Sequence, residues 1–406
     1  MRIIHAADIH LDSPMRGLVR YEGAPAAELR DVTRRALKNL VDLVLEVEAP
    51  LLVVAGDLYD GDWPDYGTGL YFQSQMVRLE KAGVRVAMVR GNHDAQNRMT
   101  RSLRLPDNVI DLPSAQPKTE VLGDLGIAIH GQSYARQREE RNLAAGYPPP
   151  VPGLFNLGIL HTSLDGRPGH EPYAPCNPDD LVQRGYDYWA LGHVHAHEIV
   201  RRDPWIVFPG NLQGRHAREL GPKGACVIEL QGGGVKAVWL EPCDVMRWEQ
   251  IDLDASGAPG RGAICDEVGR RAGKLAEASG GRPLALRVSL TGTSAAYDEL
   301  VADPSALRAE LQAEIGSATG GAGWLEKVEM GVARPSEGSR AQSGPLAELA
   351  AIVDELAAEP RAFADSVPEL EALSRAANLP ADSRAAARLP EIAARLRVEL
   401  EELLKG

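Results

Sequence analysis

The sequence predicts an α/β protein followed by a small α+β unit and a helical segment. Three observations lead there. Over residues 1–240, short apolar and β-branched runs alternate with longer stretches whose apolar residues recur at three- and four-residue steps, the pattern of strands alternating with amphipathic helices. Residues 247–334 carry strand-like runs flanking two helix-like ones. Residues 335–345 (PSEGSRAQSGP) have linker composition. The expected division is therefore a first domain over 1–245, a second over 246–334, a linker at 335–345 and a helical region at 346–406.

In chain order, strands are expected at 2–7, 51–55, 84–89, 127–130, 157–160, 188–191, 206–208, 226–230 and 235–240, with helices at 27–48 and 69–82. The run YPPPVP at 147–152 reads as an extended loop. In the second domain strands are expected at 249–253, 284–290 and 327–330, and helices at 266–278 and 305–315. Behind the linker, Leu346, Leu349, Ile352, Val353 and Leu356 form one apolar stripe at helical spacing, and Ile392, Leu396, Leu400 and Leu403 another.

Composition excludes several classes. Hydrophobic residues make up 44% and charged residues 25%, the balance of an ordinary globular protein. No apolar run reaches the ~20 residues needed to cross a bilayer, so no membrane role is expected. Residues 1–11 are broken by His5, Asp8 and His10, unlike a signal peptide. The four cysteines form no CxxC pair and read as reduced thiols of a cytoplasmic protein. The net charge of -13 seems hostile to a polyanion, but its distribution weakens that objection. Residues 1–240 carry 26 Lys and Arg against 29 Asp and Glu, whereas 241–406 carry 18 against 28. The acidic excess lies in the second part, and bound divalent cations would turn the first part slightly positive.

Five fragments in that first part stand out: Asp8-Ile9-His10, Gly56-Asp57, Gly91-Asn92-His93-Asp94, His161 and Gly192-His193-Val194-His195. Each falls at or just past the C-terminal end of an expected strand, the edge at which α/β sheets bind ligands. Carboxylates, an asparagine carbonyl and neutral imidazoles together favour Mn²⁺, Fe²⁺ or Zn²⁺ over an all-oxygen calcium site. Taken singly, each fragment has a plainer reading as a turn, an exposed loop or a hydrogen-bonded core histidine. Taken as an ordered set, they point to a metal site. His5, His130, His170 and His197 are read as structural.

This ordered set resembles the calcineurin-like metallophosphoesterase superfamily, whose pattern is DxH, GD, GNH[DE], H and GHxH. The resemblance implies a four-layer α/β/β/α sandwich. It also implies one cation on Asp8, His10 and His195, the other on Asn92, His161 and His193, and Asp57 bridging the two. The stretches HAADIHLDSP, GDLYDGDW, GNHDAQN and GHVHAHEIV…FPGNLQGRHARELGPKG are more specific. They resemble DNA-repair exonucleases of the SbcD type, in their YhaO-like branch. The activity so implied is hydrolysis of DNA phosphodiesters by a hydroxide bridging two cations, with residues 246–334 as a capping domain. His93, beside ligand Asn92, is expected as general acid or transition-state stabiliser at the leaving oxygen. One position departs: Asp60 stands where those nucleases carry a histidine. Superfamily phosphatases have an aspartate there that orients the catalytic histidine, so Asp60 is expected to hydrogen-bond His93. Arg98, Arg101 and Arg104, one stripe on a helix, and Arg215, His216 and Arg218 are candidate DNA contacts. The C-terminal helices suit either a grip on an SMC-like coiled-coil ATPase or packing within the chain, and a homodimer is a further expectation. Two other functions stay open: a phosphodiesterase or phosphatase of small nucleotides, and a non-catalytic DNA-end-binding scaffold.

Overall fold

The β-branched runs build two six-stranded sheets in the computed structural model, which describes residues 1–13, 31–61, 66–96, 104–166 and 171–335, together with Arg395 and Val398. In the first sheet β1 (Arg2–Ala6), β2 (Leu51–Ala55), β3 (Arg85–Val89) and β4 (Val109–Asp111) run parallel. On the other side of β1, β11 (Gly224–Gln231) pairs antiparallel, followed by β12 (Gly234–Pro242). The second sheet has the order β5-β6-β7-β8-β10-β9. Its parallel centre is β6 (Ile127–Gly131), β7 (Phe155–His161), β8 (Tyr188–Gly192) and β10 (Trp205–Phe208). Antiparallel edges are β5 (Lys118–Leu122) and β9 (Glu198–Arg202).

Alternating side chains divide the interior into layers. Ile3, Leu51, Val53, Ala55, Ala87 and Val89 of the first sheet pack with Ile127, Ile129, Leu157, Ile159 and Ala190 of the second. Their neighbours Ile4, Ala6, Leu52, Val54, Val86 and Met88 face the other way, onto helices. Those helices are α1 (Val32–Glu46), which buries Ala36, Leu37, Leu40, Val41 and Val44, and α2 (Gly67–Lys81), which buries Phe72, Met76 and Leu79. A fully buried Leu such as Leu40 contributes about 1.5–3 kcal/mol. The outer face of the second sheet, with Leu160, Trp189, Leu191, Ile206 and Phe208, is covered by Leu181 of α4 (Pro178–Val182), by Leu143 of a 3-10 turn (Leu143–Gly146), and by Tyr134 and Tyr147. The result is the expected α/β/β/α arrangement, with a fourth layer built mostly of turns.

β13 (Arg247–Asp254), β14 (Leu284–Thr293) and β15 (Gly323–Ala333) form a three-stranded sheet, with α5 (Arg261–Ala278), α6 (Tyr297–Ala302) and α7 (Pro304–Ala318) between them in sequence. α7 meets β15 through Gln312, whose side chain reaches the Gly323 carbonyl and the Leu325 amide. The chain divides into two units, one of Met1–Leu253, Gly262–Leu290 and Pro304–Met330, and one of Asp254–Arg261, Thr291–Asp303 and the residues from Gly331. Within the second, the Ser256 amide donates to Asp254 and the Arg261 amide to Glu299.

The sequence pattern misses β4, β5, β9, α4, α6 and the short α3 (Asn92–Gln96), which begins within the Gly91–Asp94 fragment. The two edge strands have one partner each and are polar (KTEVL and EIVRR), so neither shows the buried apolar run of a central strand. The first helix starts at Val32, while residues 14–30 lie outside the described residues, as do Arg98, Arg101, His170, the linker from 336 and, apart from two residues, the C-terminal helices. Among the described residues no helix is long and apolar enough to cross a membrane. All four cysteines are buried thiols outside any disulfide.

Candidate metal centre

The five fragments leave the carboxyl ends of β1, β2, β3, β7 and β8, and backbone pairing draws their loops together. The Asp8 amide donates to the Gly56 carbonyl (3.0 Å), the His10 amide to the Asp57 carbonyl (3.0 Å) and the Thr162 amide to the Gly192 carbonyl (3.1 Å). Asp94 ties two loops together by accepting the amides of Leu58 (3.2 Å), Tyr59 (2.9 Å) and Gly91 (3.0 Å). Two motif glycines are required by close approach. A Cβ on Gly91 would lie 2.2 Å from Asp57 Oδ1, and one on Gly192 1.9 Å from the Ala55 carbonyl. Asp8, His10, Asp57 and His193 adopt φ of +49°, +45°, +50° and +100°, a region that costs non-glycine residues about 1–3 kcal/mol and persists where the surroundings dictate it, commonly at functional sites.

All seven expected ligand residues come together. Asp8, His10 and His195 offer atoms within 4.8 Å of one another, and so do Asp57, His161 and His193. Asn92 Oδ1 stands 3.0 Å from His161 Nε2. Asp57 Oδ2 lies between the groups, 4.0 Å from His10 Nε2 and 3.5 Å from His161 Nε2.

The outward hydrogen bonds of the imidazoles show what faces inward. His161 Nδ1 donates to the Ala55 carbonyl (2.9 Å), so in the neutral ring Nε2 carries the lone pair, and it faces two oxygen acceptors, Asn92 Oδ1 and Asp57 Oδ2. His195 Nδ1 donates to Glu219 Oε1 (2.6 Å), leaving Nε2 directed at His10 Nε2 (3.2 Å) and Asp8 Oδ1 (3.8 Å). His193 Nε2 donates to the Glu171 carbonyl (2.9 Å), which leaves the lone pair on Nδ1. Lone pairs converging on lone pairs repel unless a cation sits among them, and this donor set of imidazole nitrogens and oxygens fits transition-metal dications. The electrostatics agree. Burial, then the charge of Asp57, pushes the Asp8 carboxyl well above its ordinary range. Burial lifts Asp57 to about 6 against the pull of His93, and burial with Asp57 lifts Asp94 to about 7. Carboxylates crowded in this way ionise readily only beside compensating positive charge.

Asp60 and His93 stand beside this cluster. Asp60 Oδ1 lies 3.1 Å from His93 Nδ1 and 3.6 Å from His10 Nδ1, while Ser13 Oγ donates to Asp60 Oδ2 (2.8 Å). Arg215, only 13% exposed, lies 3.7 Å from Asp60 and 3.5 Å from Glu219. It is thus part of the ionic scaffold of the site. His216 is half-exposed, 3.5 Å from Glu219; Arg218 and Arg104 are exposed. The sequence pattern assigns no role to Asp94, Ser13, Glu219 or Lys223, although its motif stretches include them. Lys223 Nζ donates to the His195 carbonyl (2.7 Å). A lone Glu or Lys in a loop has no spacing rule that reveals such a role.

Residues 1–197 match the calcineurin-like phosphoesterase family, and residues 248–333 match the middle domain of metallophosphoesterase YhaO. Metallophosphoesterase YhaO of Bacillus subtilis (strain 168) is 32% identical over 298 residues, 72% of this chain and 72% of the relative. The chain belongs to the YhaO family of metallophosphoesterases. As such it is a metal-dependent phosphoesterase. More distant relatives are the DNA double-strand break repair proteins Mre11 of Methanopyrus kandleri, 24% identical over 297 residues (62% of this chain, 61% of that protein), and of Sulfurisphaera tokodaii, 24% identical over 249 residues (57% and 60%).

Proposed function

We propose that this metallophosphoesterase hydrolyses DNA phosphodiesters with two divalent cations, Mn²⁺ first among them. The observation that carries the two-cation reading is the position of Asp57 Oδ2 between two sets of donors whose lone pairs point at one another. Asp8, His10 and His195 would hold one cation, Asn92, His161 and His193 the other, with Asp57 shared. When bound, such a pair supplies charge neutralisation of the phosphate and a more acidic water. The likeness to the Mre11 repair proteins supports DNA as the substrate.

The chain's own residues divide the remaining work. With Nδ1 engaged by Asp60, His93 has Nε2 left to hand a proton to the leaving oxygen. Asp60, accepting from Nδ1, fixes that tautomer and the orientation of the ring. Half-exposed His216 and exposed Arg218, on the loop after β10, would meet strand phosphates, which orients a nucleic acid without reading its sequence. In this reading residues 1–245 form the catalytic domain and 246–334 a cap.

One observation favours a second reading. The Asp60 and His93 pairing follows the superfamily's phosphatase pattern, which fits a small nucleotide ester as substrate. Incubation of the full chain with Mn²⁺ and end-labelled duplex or single-stranded DNA decides between them, with Asp57→Ala as control. Cleavage lost in the control supports the DNA reading. No cleavage of either DNA, beside brisk turnover of a small phosphodiester, would replace it with the second.

A further inference from the structure

The imidazoles of the centre are not backed alike. His161 and His193 each donate their outer N–H to a backbone carbonyl, Ala55 and Glu171, at 2.9 Å. His195 donates instead to the Glu219 carboxylate, at 2.6 Å. That carboxylate is only 5% exposed and firmly held. Its Oε2 accepts from the Asn211 side chain (2.9 Å) and the Arg215 backbone amide (2.6 Å), and the Arg215 guanidinium and His216 ring each lie 3.5 Å from Oε1. On the other side, buried Lys223 grips the His195 carbonyl at 2.7 Å. Residue 195 is thus clasped at ring and backbone by opposite charges.

We propose that Glu219 is a positioning residue of the metal centre, acting through His195, and that it makes the cation site of Asp8, His10 and His195 the tighter of the two. A carbonyl behind an imidazole fixes its tautomer and plane. A carboxylate does both and also increases electron donation at the opposite nitrogen, strengthening its bond to a cation. The surroundings of Glu219 suit a carboxylate: two N–H groups, from Asn211 and the Arg215 backbone, point at Oε2, and the Arg215 guanidinium lies 3.5 Å from Oε1. The first cation is then expected to settle on the Asp8, His10 and His195 side, and the second on the side of Asn92, His161 and His193. The inference rests on the two-cation reading above but not on DNA as substrate.

The test is a Mn²⁺ titration of the metal-stripped full chain by calorimetry, with bound metal counted after equilibrium dialysis. The wild type should show two unequal affinities. Glu219→Gln keeps a hydrogen-bond acceptor but removes the charge, and should weaken the tighter site by roughly 10–100-fold while leaving the other unchanged. Glu219→Asp retains the charge at shorter reach and should lose less at the same site. Equal loss at both sites in Glu219→Gln, or no loss at either, would overturn the proposal, as would a wild type with two equal sites or none. Should the glutamine variant not fold, the aspartate variant decides: weakening confined to the tighter site supports the proposal, and two unaltered affinities overturn it. Two unequal sites in a chain that leaves DNA intact would support this inference while removing the DNA reading.

Discussion

His93 stands outside the two donor sets proposed for the cations: its Nδ1 lies 3.1 Å from Asp60 Oδ1, and its backbone amide donates to Asp57 Oδ1 at 3.0 Å. His93→Ala should therefore leave bound Mn²⁺ unchanged while lowering kcat by about 10²–10⁴-fold, read by metal analysis and turnover of the same samples. Loss of metal would make it a ligand instead. Asp60→Asn should give a smaller fall in kcat. His5 carries a pH prediction of a different kind. It is fully buried, with Nε2 donating to the Leu191 carbonyl and Nδ1 accepting from Tyr188, and burial lowers its pKa to about 3. The unfolded chain takes up a proton near pH 6.5 that the folded chain refuses, so His5's contribution is fully present above that pH and is lost as pH falls toward 3. The slope is at most about 1.4 kcal/mol per pH unit. Denaturant titrations of wild type and His5→Gln should diverge in slope across that window; parallel curves would show that His5 is not held neutral. At this scale the ligand types are legible in the sequence because each closes a strand in a recognisable fragment. The roles of Glu219 and Asp94 are not, since their partners, the His195 ring and the amides of Leu58 and Tyr59, are set by folding.

At the scale of elements, legibility follows burial. β2 reads directly from LLVVA because both faces are covered, whereas β9 (EIVRR) is half-buried to exposed throughout and gives no such signal. The sequence also conceals how closely the two sheets approach at their carboxyl ends. Gly192 ends β8 against the carbonyl of Ala55 at the end of β2. Gly192→Ala would force those ends apart, with an expected loss of about 1–3 kcal/mol or more and a fall in metal affinity, because Thr162 and His193 flank the same junction. Thermal unfolding with and without Mn²⁺ reads both effects. A variant with unchanged Tm would show that the junction yields freely.

For the whole molecule, the centre crowds Asp8, Asp57 and Asp94 into a buried space. Cations that bind only the folded chain stabilise it by mass action, about 2.7 kcal/mol per site at a hundredfold excess over Kd. A chelator should lower Tm and Mn²⁺ should restore it; a Tm indifferent to both would argue against resident metal. The order of strands in the first sheet bears on how such a chain is made. β1 lies between β2 and β11, and β11 begins only at Gly224. At about 5–20 residues per second, the first strand waits on the order of 10–40 s on the ribosome for its second neighbour. Through that interval its bare flank is open to mispairing, and for most of it His193 and His195, just past β8, do not yet exist. Capture of cations is therefore a late event of synthesis, and a ribosome stalled before His195 would present a nascent chain that holds them weakly and invites chaperones.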